Sequence, residues 1–411
     1  MPFQILGLGT ATPLYGIAQE DAADIAKSIC GQSDQQHRAL EVLYRKSGVR
    51  YRHSVALDKA DEQPIDRHRN KQPLLTKANH DASYSESSQP SDLNSVCLES
   101  QSPLSRQSFF PAAVGAQDAG PSTDQRMQMY REHAGSLAVT AAEEAIANSP
   151  FESSEFTHLI TVSCTGFQAP GVDLDIIKQC QLRPTVERTH IGFMGCHGAI
   201  NGLRVAKAIA EADPNSRVLL CAVELCTLHQ QYGWHPERVV SNALFADGAA
   251  ALVGASTELL QSTPARKPCV AATGSMILPE TEGMMGWQIG DHGFVMSLST
   301  MVPSIICQTI RQWMEQWLHD QGLCIDEIQS WAIHPGGPKI LKACQEAMSL
   351  TESQLRPSFQ ILESFGNMSS PTVLFVLDHI LDSPQPTNAS PLPCVMLAFG
   401  PGLAIEAALI R

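Results

Sequence analysis

The stretch ERTHIGFMGCHGAINGLRVAKAIA, residues 187–210, is where the reading of this 411-residue chain begins. It opens as a strand, turns sharply at Gly195-Cys196, and continues as a helix. Ile200, Leu203, Ala206, Ile209 and Ala210 recur at helical spacing, and Gly198, Ala199 and Gly202 are small enough for close packing. A cysteine at the start of a buried helix meets the positive end of the helix dipole and unpaired backbone N–H groups. Both favour the thiolate over the thiol. A free cysteine is more commonly an inert, buried apolar residue. Reading Cys196 as a nucleophile therefore requires a base elsewhere in the chain.

Working outward, apolar strands alternate with helices. Residues 3–6, 158–164, 217–223 and 249–254 read as strands. Residues 20–30, 34–46 and 173–180 read as helices, as does a long segment 124–147 that is broken or bent near Gly135. A second set follows: strand 269–275, helix 303–319, strand 330–333, helices 338–348 and 371–380, and strands 394–399 and 403–409. The two sets share one strand–helix order and meet near residues 255–268, where Ser, Thr and Pro accumulate. This predicts a layered α/β protein with mixed sheets between helices. Its halves are 1–260 and 261–411. Residues 58–106 are polar and aperiodic, which predicts a surface insertion, partly disordered and outside the active site.

Formal net charge is −14 with no concentrated basic block, so nucleic acid and anionic membranes are poor partners. No apolar run reaches the ~18 residues of a membrane span. The 12 cysteines are scattered, with no CxxC pair and no zinc spacing, which predicts reduced thiols in a cytoplasmic protein and no metal site. The segment GLGTATP, residues 7–13, fails GxGxxG because Thr12 stands at the third glycine; it reads as a tight turn. Arg45, Lys46, Arg50 and Arg52 crowd the end of the helix 34–46. Complementing the helix dipole explains them, and so does docking of a polyanionic ligand.

Strand ends that run into Gly/Pro turns are where layered α/β folds place functional groups. WAIHPGG puts His334 at the end of an apolar strand. ESFGNMSSP puts Asn367 in a loop before a helix, with Ser369 and Ser370 as candidate caps. Singly, His334 reads as a core histidine and Asn367 as a turn residue. With Cys196 they make a nucleophile, a base and an amide donor, the parts needed to attack an acyl thioester.

Read in order, the segments GFMGCHGA, ALFADGAA, IHPGGPKIL, FGNMSSPTVLFVLD and AFGPGLAIEA resemble the type III polyketide synthases, the chalcone synthase-like branch of the thiolase superfamily. The likeness is to the bacterial members more than the plant ones and spans nearly the whole chain except 58–106. It implies the duplicated, five-layered αβαβα thiolase fold in a homodimer, with Cys196 from the first half and His334 and Asn367 from the second as catalytic residues. Phe245 falls at one gatekeeping phenylalanine. Met296 falls at the other, and Trp287 stands where plant enzymes carry a small residue; both are departures. Cys164, Cys226, His229 and Ser369 would line the same cavity. Lys46 matches a coenzyme A-binding lysine, with Arg38, Arg45 and Lys339 as helpers. Ala398 replaces the usual first glycine of the terminal loop.

The implied activity is iterative. An acyl-CoA starter loads on Cys196 as thiolate beside a protonated His334, and malonyl-CoA loses CO2 behind an apolar wall of Phe245 and Phe294. Repeated Claisen condensation then ends in a cyclised alkylpyrone, resorcinol or phloroglucinol. The substrates are coenzyme A thioesters, with no metal or other cofactor. Two other readings fit the same residues: an initiating β-ketoacyl-ACP synthase that condenses once, and a non-catalytic acyl-CoA-binding homologue.

Overall fold

The computed structural model describes residues 3–58, 106–257, 259, 267–383 and 390–411. The expected insertion, residues 59–105 in particular, lies outside the described residues. The first half contributes β1 (Phe3–Ala11), β2 (Gly16–Ala18), α1 (Gln19–Cys30), α2 (Asp34–Lys46), β3 (Tyr51–His53), α3 (Thr123–Ala147), β4 (His158–Ser163), α4 (Val172–Gln179), β5 (Glu187–Gly192), α5 (Gly198–Ala212), β6 (Arg217–Leu225), α6 (Pro236–Leu244) and β7 (Asp247–Ser256). The second contributes β8 (Cys269–Ile277), β9 (Met285–Gly290), β10 (Gly293–Leu298), α7 (Val302–Asp320), β11 (Ser330–Ile333), α8 (Pro338–Met348), α9 (Glu352–Phe365), α10 (Thr372–Asp382), β12 (Cys394–Gly400) and β13 (Ala404–Ile410).

Duplication is visible in the pairing. Among the described residues one sheet runs β11-β12-β13-β8-β1-β7-β6-β4-β5. From β1 outward the pairs are antiparallel to β7, antiparallel to β6 and parallel to β4. From β8 outward they are antiparallel to β13, antiparallel to β12 and parallel to β11. The halves join where β1 meets β8, Phe3 opposite Val270 and Gln4 opposite Cys269.

Alternation along each strand divides the core into layers. Ile160, Val162, Leu220 and Leu252 of the first half and Ala332, Met396, Ala408 and Ile410 of the second pack on α5 and α10. Leu159, Leu219 and Val253 pack instead on α3 and α4. Trp331, Val395, Leu397 and Leu409 pack on α7 and α8. Two helix pairs outside, two sheet halves and one central helix pair make five layers. No described helix is long and apolar enough to cross a membrane.

Helix α3 runs without a break through Gly135, contrary to the sequence expectation. A Cβ there would stand 2.3 Å from the Asp175 carboxylate, so the glycine allows close approach of α4. Ser122, not Asp124, caps it, in a reciprocal capping box with Gln125. The sequence reading passed over α6, α9 and the β9–β10 hairpin. Pro357 inside α9 masks a helix that Thr351 and Gln354 cap together.

Candidate active site

The two central helices point their N-termini at one place. A Cβ on Gly198, the first residue of α5, would lie 3.6 Å from the Cβ of Ser370, just before α10. Cys196 sits in the single turn Gly195–His197 that precedes α5. Two contacts force glycine around it. Gly195 has φ +71 and a Cβ on it would stand 2.6 Å from the Pro401 ring, and a Cβ on Gly400 would stand 2.3 Å from the His197 ring. Ala398, the departure in the terminal loop, occupies an ordinary buried strand position in β12, while Gly400 and Gly402 make the close approach and the positive φ.

Opposite Cys196 stands the loop between α9 and α10. Asn367 is fixed by its backbone: its N–H donates to the Leu244 carbonyl and its carbonyl accepts from the Ala246 N–H, both at 2.9 Å. Its Oδ1 accepts from the Ser369 N–H at 2.8 Å, which turns Nδ2 toward the Gly336 carbonyl at 3.5 Å. Ser369 takes a left-handed φ of 57, a strained choice for a serine. Its hydroxyl reaches Cys196 Sγ and Cys164 Sγ, each at 3.5 Å.

His334 follows β11, its N–H donating to the Leu397 carbonyl at 2.7 Å. The residue is 1% exposed, and neither ring nitrogen has a hydrogen-bond partner. An unsatisfied buried imidazole is costly and calls for a physical reason. Burial, with His197 adding to it, pushes its pKa down to about 3, so it rests neutral. Cys196 is pushed up to about 11 by burial, which outweighs the Ser369 hydroxyl and the Asn367 amide; the Glu224 charge adds to the rise. Both shifts run against the expected resting thiolate–imidazolium pair: without substrate, loss of water favours the thiol and the neutral imidazole.

A cavity of about 20 Å³ opens over Cys196. Its lining joins both halves: Cys164, Cys226 and Phe245 with Trp287, Met296 and Ser369. The β9–β10 hairpin supplies the wall, Trp287 directly opposite Met296 in the ladder. Trp287 Nε1 donates to the Cys164 carbonyl at 2.7 Å. His229 stands behind the wall, not in it. Its Nε2 meets the Thr165 carbonyl at 2.6 Å, its Nδ1 meets the Phe294 N–H at 2.9 Å, and its ring stacks on Phe294 at 4.2 Å. With one nitrogen facing a carbonyl and the other an N–H, His229 is held as the neutral tautomer, and burial pushes its pKa down to about 3.

The expected anion-binding cations lie outside this cavity. Arg38, Arg45, Lys46 and Lys339 are all exposed, without an ion-pair partner among the described residues. The end of α2 meets the start of α8, where a Cβ on Gly48 would lie 3.6 Å from Pro338. Arg45 and Lys46 thus share a neighbourhood with Lys339.

Two family models, described as the N-terminal and C-terminal domains of chalcone and stilbene synthases, match residues 112–257 and 270–411. The chain belongs to the type III polyketide synthases. This synthase is 34% identical over 284 residues to the α-pyrone synthesis polyketide synthase-like Pks18 of Mycobacterium tuberculosis, covering 69% of this chain and 72% of that one. It is 33% identical over 278 residues to the 1,3,6,8-tetrahydroxynaphthalene synthase of Streptomyces peucetius, covering 67% and 72%. With type III polyketide synthase C of Arabidopsis thaliana it shares 31% over 314 residues, covering 75% and 81%. The crystal structure of PKS-I from the brown alga Ectocarpus siliculosus superposes with a TM-score of 0.80 at 25% identity, over 100% of this chain and 98% of that one.

The sequence reading missed a buried carboxylate of the synthase at this site, Glu224. It accepts from the Cys164 N–H at 2.9 Å, the Thr165 hydroxyl at 2.6 Å and the Ser370 hydroxyl at 2.6 Å, tying the loop after β4 to the start of α10. Its signal was available: Glu224 is the one charged residue within the otherwise apolar run that follows Arg217.

Proposed function

We propose that this synthase loads an acyl-CoA starter on Cys196 and extends it repeatedly with malonyl-CoA by decarboxylative condensation, releasing a cyclised polyketide. The observation that carries the reading is the pair of unpartnered nitrogens on buried His334, near the amide of Asn367 that faces Gly336. The His334 nitrogens have no competing partner, and Asn367 Nδ2 carries a second N–H beside the one aimed at Gly336, so both groups can turn to a thioester. Burial disfavours a lone thiolate or a lone imidazolium, so the two groups ionise together, as the starter arrives. Cys196 Sγ attacks the carbonyl, its proton passes to His334, and the coenzyme A thiolate leaves with it. In malonyl-CoA the electrons of the C–CO2 bond move into a thioester enolate, whose oxygen meets the N–H groups of His334 and Asn367. The enolate carbon attacks the Cys196 thioester, and the cysteine is released for the next round.

The apolar lining at Phe245, Trp287 and Met296 gives the malonyl carboxylate no partner, which favours its loss. Coenzyme A thioesters are the only non-protein groups in the scheme. Arg38, Arg45, Lys46 and Lys339 would hold the coenzyme A phosphates. The halves 1–260 and 261–411 would act as one unit, since each supplies part of the site. Trp287 is pinned by its hydrogen bond to Cys164, whereas Met296 is unbranched and adaptable, so growth space opens on the Met296 side. That favours an aliphatic or aryl starter, few extensions, and closure to an alkylpyrone, resorcinol or phloroglucinol.

The working unit would be a homodimer. Every side chain of edge strand β5 is exposed or half-exposed, and Phe167 (53%), Phe193 (38%) and Met194 (39%) are exposed beside it. An uncovered strand edge beside apolar side chains suits a second copy of the chain. A monomer by sedimentation at micromolar concentration would overturn this.

Purified protein with malonyl-CoA and starters from acetyl-CoA to long-chain and aryl acyl-CoAs, read by mass spectrometry, tests the chemistry. Products two or more malonyl units longer than the starter, lost by roughly three orders of magnitude in Cys196→Ala, are expected. Single-condensation products, or turnover only with a carrier protein, would overturn the iterative reading.

A further inference from the structure

Helix α6 ends at Leu244, just where Phe245 begins to wall the cavity. The last turn of any helix leaves carbonyls without partners inside the helix. Here the first of the four keeps a bond from the residue that ends the helix, and the other three are each met from a distant part of the chain. The Ser241 carbonyl accepts from the Phe245 N–H at 3.0 Å and the Leu244 carbonyl from the Asn367 N–H at 2.9 Å. The Ala243 carbonyl accepts from Gln19 Nε2 at 2.7 Å, and the Asn242 carbonyl from Arg52 Nη1 at 2.6 Å. The same Arg52 nitrogen also donates to the Phe245 carbonyl at 2.8 Å.

Arg52 is only 2% exposed. A buried guanidinium is expensive unless its surroundings compensate. Tyr44 of α2 helps: the Arg52 guanidinium lies 5.4 Å from its ring centre. Asp247, one residue beyond Ala246, helps too: the Arg52 charge eases the ionisation of that carboxylate, which burial raises to about 6. Gly366 packs on the same side chain, a Cβ there falling 3.5 Å from Arg52 Cβ. One side chain therefore touches helix α2 two residues before Lys46, the backbone of Phe245, and the glycine before Asn367. Phe245 and Asn367 are themselves paired as an isolated bridge.

We infer that Arg52 is a positioning residue of the condensation: its guanidinium holds Phe245 and Asn367 in place over Cys196 and ties both to the end of helix α2. This rests on the function proposed above. A simple helix cap needs one neutral donor, which Gln19 supplies at the neighbouring carbonyl. Arg52 instead spans two carbonyls and two segments that both border the reacting thiol.

The test compares Arg52→Met, which keeps the side chain's bulk and removes its donors, with Arg52→Lys, which keeps a cation and its donors. Both are assayed in the full chain for CO2 release from malonyl-CoA and for product formation. Misplacement of reacting groups by about 1 Å can cost up to about a hundredfold. Arg52→Met is expected to lower kcat for product by tenfold or more on the order of that scale. The KM for malonyl-CoA should stay within about threefold, and CO2 released per product should rise. Arg52→Lys should recover most of both. Unchanged kcat and an unchanged CO2-to-product ratio in Arg52→Met would overturn the inference.

If Arg52→Met does not fold, Gln19→Met decides. It removes the adjacent carbonyl's partner and, with it, the bond from Gln19 Nε2 to the Ser47 hydroxyl at the end of α2, and the same rise in CO2 per product is expected at smaller size; a wild-type ratio there overturns the inference. Failure of the parent reading looks different. The wild-type protein itself would then give no product dependent on Cys196, and the inference would fall with it.

Discussion

The floor and the wall of the cavity are built by different physics. The floor, Gly195–His197 facing the Asn367–Ser370 loop, is held mainly by backbone, through ladder-like bonds at Leu244 and Ala246 and glycines against a ring and a proline, with the Glu224 carboxylate as a side-chain tie. The wall, the β9–β10 hairpin, is held by side chains: Trp287 on the Cys164 carbonyl, and His229 stacked on Phe294. A backbone-held floor fixes what chemistry can occur. A side-chain-held wall decides what shape of acyl chain fits, and it can be exchanged without touching the floor.

The largest effect expected concerns the resting state of the floor. With the Cys196 thiol pushed up to about 11, the thiolate fraction at neutral pH is small and grows tenfold per pH unit until that value. Alkylation of Cys196 by iodoacetamide in substrate-free enzyme should therefore accelerate by roughly three orders of magnitude between about pH 7 and 10. A rate that is already flat by neutral pH would mean a standing thiolate–imidazolium pair and a different floor.

Next in size is Gly400→Ala. Its Cβ would meet the His197 ring at 2.3 Å beside the nucleophile. Overpacking of this kind costs about 1–3 kcal/mol, read as a lowered denaturation midpoint, and product formation should fall with it. Wild-type stability and turnover together would show the floor to be softer than its contacts imply. The smallest effect belongs to the wall. Trp287→Phe removes one hydrogen bond of about 1 kcal/mol and keeps the ring. Trp287→Gly should shift product chain length or starter range while Cys196 alkylation stays unchanged. If neither chain length nor starter range moves, the wall does not select.

The floor was largely legible in the sequence, because glycines and small residues around Cys196, and the loops at His334 and Asn367, are local signals of turns where strands and helices end. The wall was not. Trp287 and Met296 were placed on it, but only through likeness to a family, and His229 was put in the lining when it stands one layer behind. Thr165, Met285 and Pro401, which also line the cavity, carry no local mark. Gly135 misled on a break because a glycine in a helix reads alike whether it interrupts the helix or admits a neighbour; the continuous span of α3 and the position of Asp175 show the second.

By itself, the sequence determined the alternation of strands and helices, the repetition of that order in two halves, and the residues able to act on a thioester. Periodicity and turn chemistry are properties of neighbours in the chain. The tertiary structure alone decided that the two halves share one sheet through β1 and β8, and that Cys196 and Ser369 meet across them. It also decided that burial pushes the Cys196 thiol's pKa up and that Arg52 binds the carbonyl of Phe245. Each of these depends on distance and on exclusion of water between residues far apart in the chain, which no local pattern encodes.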